Sequence, residues 1–412
     1  MKKTILALLG LIILIPAMTG QKTYEFKNGQ WFNGTDFVQG TWYVVGGNLT
    51  RKAPAKIDSV VNLDGRWVVP PVGDANVGSV AGNPTAPQVL KSYREEGVFY
   101  LQTLSNSKMG REAVQNDVNR SGEPDATFAN GGITCTFGQP FTRYEGPAQG
   151  LKTPKMIAER YEVLKTIDHT LLGDAYWFID NKTALDQNWE KIKAQKPAVI
   201  TIYLLDVNKN GGKEGFGLSE DVAKAVVKKA HKSDLRVFAY VLNADDVRTG
   251  IKIGVDGFAN LPGNNWDGNG DTKAFELSED DLKKMAKKKT VVIPLFSHAQ
   301  GAANRTAVQE YQGKTLRRLV EAGVPVAIGS DDPQRTMRNE LNYWYQLGSL
   351  SNLQIMRILC ETTPKAIFPK RKIGKLDEGY EASFLVLSDN PLQNILKIRV
   401  IAMKMKNGQM VK

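Results

Sequence analysis

Arg66-Trp67-Val68-Val69-Pro70-Pro71-Val72-Gly73-Asp74-Ala75-Asn76-Val77-Gly78 marks the point where one sequence texture gives way to another. Before it, residues 22–69 alternate short apolar runs with Asn28-Gly29, Asn33-Gly34, Gly46-Gly47 and Asp64-Gly65, the turn dipeptides of β-hairpins. After it, strand-length apolar runs alternate with amphipathic stretches. The clearest strands fall at residues 198–205, 235–242, 255–261, 290–296 and 324–328, with helices at 219–232, 278–288 and 307–322. Ser219 and Ser278 each precede acidic residues, as a helix start prefers. Alternation of this kind predicts parallel βα units. The span 71–365 suits an eight-fold (β/α)8 TIM barrel, whose usual size is ~250 residues. A doubly wound open sheet is the competing arrangement, but no glycine-rich dinucleotide loop follows the first strand.

Working outward, the far end returns to β character. Residues 382–387 and 400–405 are apolar strands, and Asn407-Gly408 is a turn signal. Segments 21–70 and 366–412 are therefore expected to build one composite β-sandwich, bracketing a barrel at 71–365. Residues 1–20 read as a signal peptide: Lys2 and Lys3, an apolar core over 5–16, then Ala17-Met18-Thr19-Gly20. That core falls short of the ~20 apolar residues of a membrane span, and no later segment reaches it. The expected location is outside the cytoplasm, periplasmic or secreted.

The net charge of +11 would permit nucleic-acid or lipid partners. The lysines, however, lie dispersed or along helical faces such as 221–232 and 280–289, without an arginine-rich arm or a stacking-aromatic platform. No nucleic-acid partner is expected. Cys135 and Cys360 are the only cysteines, too few for a disulfide framework; one bridge is conceivable, and two small buried residues are the expectation.

Several strand ends resemble those of the amidohydrolase superfamily. The opening stretch is similar to that family's Pro-Gly-two residues-Asp-x-His-x-His segment. Lys196-Pro197-Ala198-Val199-Ile200-Thr201-Ile202-Tyr203-Leu204 resembles the strand that carries a metal-bridging lysine, and Val237-Phe238-Ala239-Tyr240-Val241 the next, which carries a histidine. Gly254-Val255-Asp256-Gly257-Phe258-Ala259-Asn260-Leu261-Pro262-Gly263 resembles Gly-Val-Asp-x-x-x-His-x-Pro-Gly. Gly323-Val324-Pro325-Val326-Ala327-Ile328-Gly329-Ser330-Asp331 is similar to the final strand with its aspartate, and residues 373–383 to the return into the β-sandwich. The imidazolonepropionase- and prolidase-like branches fit best. The resemblance implies a (β/α)8 barrel and hydrolysis of carbon–nitrogen bonds by bound metal.

Carried over residue by residue, the family's metal ligands fall on Asn76 and Gly78, on Thr201, on Tyr240 and on Asn260; only Asp331 keeps its ligand type. A hydrolytic zinc needs about three strong protein ligands and one open position. Amide and hydroxyl oxygens are weak substitutes, glycine offers nothing, and a tyrosine must lose a proton of pKa ~10. Without metal, nothing lowers the pKa of water toward ~7. No cofactor and no metal are therefore expected.

Three histidines remain. His231 lies in a lysine-rich helix end and His169 late in a helical stretch, both suited to solvated or capping roles. His298 follows a strand end, where barrels place active sites, and could stand near Asp331. Asp267-Gly268-Asn269-Gly270-Asp271 mimics a calcium loop, but Thr272 replaces the required glycine and Ser278 the bidentate glutamate. Asn130-Gly131-Gly132 reads as a loop rather than a phosphate cradle. Asp331 is the candidate catalytic carboxylate, and Asn76, Thr201, Tyr240, Asn260 and His298 are candidate ligand contacts. The expected function is a metal-free pseudoenzyme that binds a small molecule or a family-related protein. The alternative is an exported hydrolase using Asp331 without metal.

Overall fold

The computed structural model describes residues 22–80 and 86–411. The leader expected at 1–20 lies outside the described residues. Among them, no helix is long and apolar enough to cross a membrane.

The fold is mixed α/β. Strands from both termini join in one eight-stranded sheet, whose links run through the nine-residue strand Tyr24–Phe32. Its first half pairs with Ser59–Asn62 and its second with Trp67–Val69, while Phe37–Val45 pairs along its other edge. Trp67–Val69 then pairs antiparallel with Phe384–Leu387. The two ends thus share continuous hydrogen bonding. One long strand with a bulge between Phe26 and Gly29 serves three partners and keeps the sheet in one piece. Phe26, Trp31, Trp42 and Phe384 fill its own core.

The middle consists of parallel strands. Val72–Asp74, Val98–Thr103 and Asp125–Phe128 form one ladder. Gly132–Thr134, Val199–Leu204, Arg236–Val241, Gly257–Phe258 and Val291–Val292 form another, with Tyr176–Phe178 on its edge. Backbone bonds connect the ladders: the Ala198 amide donates to Phe128 O (2.8 Å), Ala327 to Val292 O (2.8 Å) and Ala75 to Ile328 O (2.8 Å). These strands are buried on both faces, which explains their continuous apolar runs.

Helices start where the sequence signalled. The Ser219 side chain accepts from the Val222 amide, and Ser278 with Asp281 forms a reciprocal capping box. Cys135 and Cys360 are buried and unpaired. Between Cys135 and Asp180 the chain adds short helices packed on a separate cluster of Phe141, Leu164 and Tyr176.

Candidate functional site

A cavity of about 630 Å³ opens beyond the C-terminal ends of the parallel strands. Tyr203, Tyr240, Asn260, Leu295 and Asp331 reach it from successive strand ends; Trp266, Phe275 and Arg143 come from the connecting segments. This size and mixture of aromatic walls with a few polar groups suit a small-molecule pocket.

Asp331 sits in the left-handed region at φ 38°, where a non-glycine residue is strained. Its backbone amide donates to Asn76 O at 2.7 Å, which fixes the turn. The partner of its side chain is Arg143: Nη2 stands 3.1 Å from Asp331 Oδ1, with side-chain exposures of 39% and 10%. The carboxylate raises the guanidinium further above its ordinary value, so Arg143 is charged. His298 does not pair with Asp331. Its Nε2 donates to the Ser330 carbonyl at 3.1 Å. The turn carrying His298 is clamped from below by buried Glu340, which accepts from the Phe296 amide (2.8 Å), the Ser297 amide (2.7 Å) and Trp344 Nε1 (2.6 Å).

Of the remaining sequence candidates, Tyr240 and Asn260 line the cavity, and these two together with Asn76 also hydrogen-bond within the fold. Asn76 Nδ2 lies 2.9 Å from Ala259 O and 3.1 Å from the Tyr240 hydroxyl, and Asn76 Oδ1 lies 3.3 Å from that same hydroxyl. Burial, and after it the Asp331 carboxylate, push the Tyr240 phenol well above its ordinary range, so it stays protonated. Asn260 accepts from the Val241 amide (2.9 Å) and donates to the Val241 carbonyl (2.8 Å), stitching two strand ends together. Thr201 lies away from the cavity, its buried Oγ1 without a partner among the described residues. Two residues further on, Tyr203 lines the cavity and stacks on Tyr240, with centroids 5.0 Å apart and planes at 6°. Side chains two apart share a strand face, so Thr201 faces the same way one layer deeper.

A hydrolytic metal does not fit this donor set. Asn76 and Asn260 have committed their amides, Tyr240 keeps its proton, and Asp331 is held by Arg143. At Gly78 a β-carbon would lie 2.8 Å from Asp331 C and 2.8 Å from Asp332 N. Among the described residues, no group of three His, Cys, Asp or Glu side chains converges as a metal site.

The other singled-out groups are local. His169 Nε2 lies 3.0 Å from Leu164 O, with the ring edge-on to Phe141 and Phe137; His231 Nε2 meets Asp256 Oδ2 at 2.9 Å. In the calcium-like loop, Asp267 accepts from the Asn269 amide and side chain, which hold its carboxyl below the ordinary range. Arg143 and Tyr203 were not singled out from sequence. Arg143 comes from the inserted segment, which carries no family motif; Tyr203 was within reach, since it stands two residues beyond Thr201 on the same strand.

The fold is that of the amidohydrolases. Among solved structures, an amidohydrolase superposes with a TM-score of 0.72 at 16% identity, covering 94% of this chain and 98% of that one. A Xaa-Pro dipeptidase gives 0.71 at 16%, covering 95% and 100%. Ochratoxinase from Aspergillus niger gives 0.70 at 14%, covering 94% and 95%. In sequence, Aspergillus niger ochratoxinase is 25% identical over 185 residues, 43% of this chain. The match spans only 37% of that protein's length. No family model matches the chain. The amidohydrolase resemblance drawn from the strand ends stands on these relatives.

Proposed function

We propose that the parallel strands close into a (β/α)8 barrel and that the chain is an exported, metal-free member of this fold. On this reading it binds a small molecule in the cavity above Tyr203 and Tyr240. The observation that carries the proposal is the approach of the Asp331–Asp332 backbone to Gly78, which fills the room a first-strand ligand would need. A cation is still supplied to the surviving aspartate, but by Arg143 rather than by metal. The ligand would lie against the aromatic walls with its polar end between Arg143 and Asp331, a pair that offers donor and acceptor together.

A thermal-shift screen of small molecules on wild type, Asp331→Asn and His298→Ala tests this. Compounds that stabilise wild type should lose most of their effect on Asp331→Asn. A compound that stabilises all three equally binds elsewhere, and if every hit behaves so, the cavity is not the site.

A second reading, carbon–nitrogen bond hydrolysis by Asp331 without metal, draws on the strained φ of that residue and on relatives named as ochratoxinase and Xaa-Pro dipeptidase. Amide, lactam and dipeptide substrates should give no release. Release that persists in chelator and disappears in Asp331→Asn would favour the hydrolase instead.

A further inference from the structure

At the opposite end of the parallel strands lies a second and larger cavity, of about 820 Å³. Arg236 and Val291, the first residues of their strands, line it, and residues 361–375 form a wall. That wall begins in a π-helical turn, Ile358–Thr362. Tyr380, next to the terminal sheet, closes one side.

The charge of this cavity is unbalanced in a specific way. Arg236, Lys288, Lys289, Lys365 and Lys375 line it against Asp256 and Glu361. Both carboxylates are engaged by groups outside the lining: Asp256 Oδ2 takes His231 Nε2 at 2.9 Å and the Val237 amide at 2.7 Å, and Glu361 faces Arg357 Nε at 3.9 Å. Three of the cations, by contrast, end on neutral carbonyls. Arg236 donates to Ala366 O (2.6 Å) and Ile367 O (3.2 Å), Lys288 to Ile251 O (2.6 Å) and Lys365 to Arg371 O (3.3 Å). None of the five makes an ion pair within 4.0 Å among the described residues. Burial lowers the Arg236 guanidinium from its ordinary value, and the Asp256 carboxylate offsets only part of that. Between the charges the surface is apolar, from Val255, Val291, Pro325, Ala366, Pro369 and Ile373. The cavity above Tyr203 has the other sign, since Asp267 and Asp331 line it with Arg143.

We infer that this second cavity binds an amphipathic anion, a carboxylate head on an apolar chain, with the head among Lys365, Lys375 and Arg236 and the chain over Val255 and Ile373. A cationic rim concentrates and orients such a ligand, while the apolar lining supplies affinity that a bare anion cannot collect. Bound there, it would tie the strand ends to the segment leading into the terminal sheet and stabilise the folded chain by linkage. The inference is independent of the function proposed for the other cavity.

Calorimetric titration of the full chain with dodecanoate, below its micellar concentration, tests it. The expected result is single-site binding that weakens about tenfold or more in Lys365→Glu/Lys375→Glu, two exposed positions, and is unchanged in Asp331→Asn. If the charge-reversed protein does not fold, Lys365→Gln/Lys375→Gln replaces it, with weakening still required. Dodecyltrimethylammonium should not bind, and acetate should bind far more weakly than dodecanoate. Equal binding of the cationic surfactant or of acetate, or dodecanoate affinity untouched by the lysine changes, would overturn the inference. Loss of binding in Asp331→Asn would do the same, by placing the ligand at the other end.

Discussion

The α-carbon of Gly78 points toward the Asp331–Asp332 peptide so closely that a β-carbon would come 2.8 Å from both Asp331 C and Asp332 N, and 3.1 Å from Asp332 C. Those contacts are backbone, which cannot swing aside as a side chain can. The same Asp331 amide is bonded to Asn76 O at 2.7 Å, so separating the strands to make room breaks a short hydrogen bond. Gly78→Ala should therefore destabilise the protein by ~1–3 kcal/mol in urea unfolding, the usual cost of over-packing. Gly78→His should be worse. A neutral Gly78→Ala would show that the strand ends have slack and that the position could regain a ligand.

Arg143 and Asp331 should behave as one unit. Asp331 is only 10% exposed, so removing its cation leaves a largely desolvated carboxylate, whereas removing both charges leaves none. Arg143→Met alone should cost more stability than Arg143→Met/Asp331→Asn, with a coupling energy of ~1 kcal/mol in a double-mutant cycle, since the arginine is half exposed. Additive effects would mean that the pair is incidental.

Thr201 is expected to give up its hydroxyl without loss. Its Oγ1 is buried and finds no partner among the described residues, so Thr201→Val removes an unsatisfied polar atom at nearly constant shape. Chemical denaturation should show a gain of ~1 kcal/mol, and ligands of the cavity should bind unchanged. A loss of stability would reveal a hydrogen bond made by that hydroxyl, directly or through water.

What the sequence made legible was the frame, and the reason is physical. Asp74, Gly257, Gly329 and Asp331 mark strand ends where side-chain room or backbone turns are dictated locally, so a pattern of spaced residues carries them. Side chains that meet only through tertiary packing carry no such pattern. Arg143 reaches Asp331 across 188 positions from an inserted helix, Phe141–Ala148, and nothing near it signals that encounter. The Asn260 amide looks like a degraded ligand in sequence; in the fold it binds both backbone groups of Val241. The order of strands within the terminal sheet was likewise hidden, because pairing three strands along Tyr24–Phe32 is a matter of register, not composition.

Asp74 gives the protein a pH dependence of defined sign. It is fully buried, and burial pushes its carboxyl up to about 7, against the hydrogen bonds it accepts from Tyr93 Oη (2.7 Å) and the Ser330 amide (3.1 Å). An unfolded aspartate titrates near ~3.9, so between roughly pH 4 and 7 the folded state holds more protons than the unfolded one. Stability must then fall as pH rises through that window and level off above it, by up to ~4 kcal/mol if Asp74 acted alone. Burial raises Glu96 and Glu340 in the same direction. The melting temperature should drop from pH 5 to pH 8, and Asp74→Asn should flatten the slope. A wild-type protein that grows more stable over this range would contradict the assignment.

The most direct test of the central claim is the metal content of the protein itself. Protein produced in zinc- and manganese-supplemented medium, purified without chelators and exhaustively dialysed, should carry far less than one equivalent of any transition metal by elemental analysis. Added zinc should not raise its melting temperature. A full equivalent or more of zinc, manganese or iron that survives dialysis, and whose removal lowers the melting temperature, would show that Asn76, Tyr240, Asn260 and Asp331 hold a metal after all, and the metal-free account would be wrong.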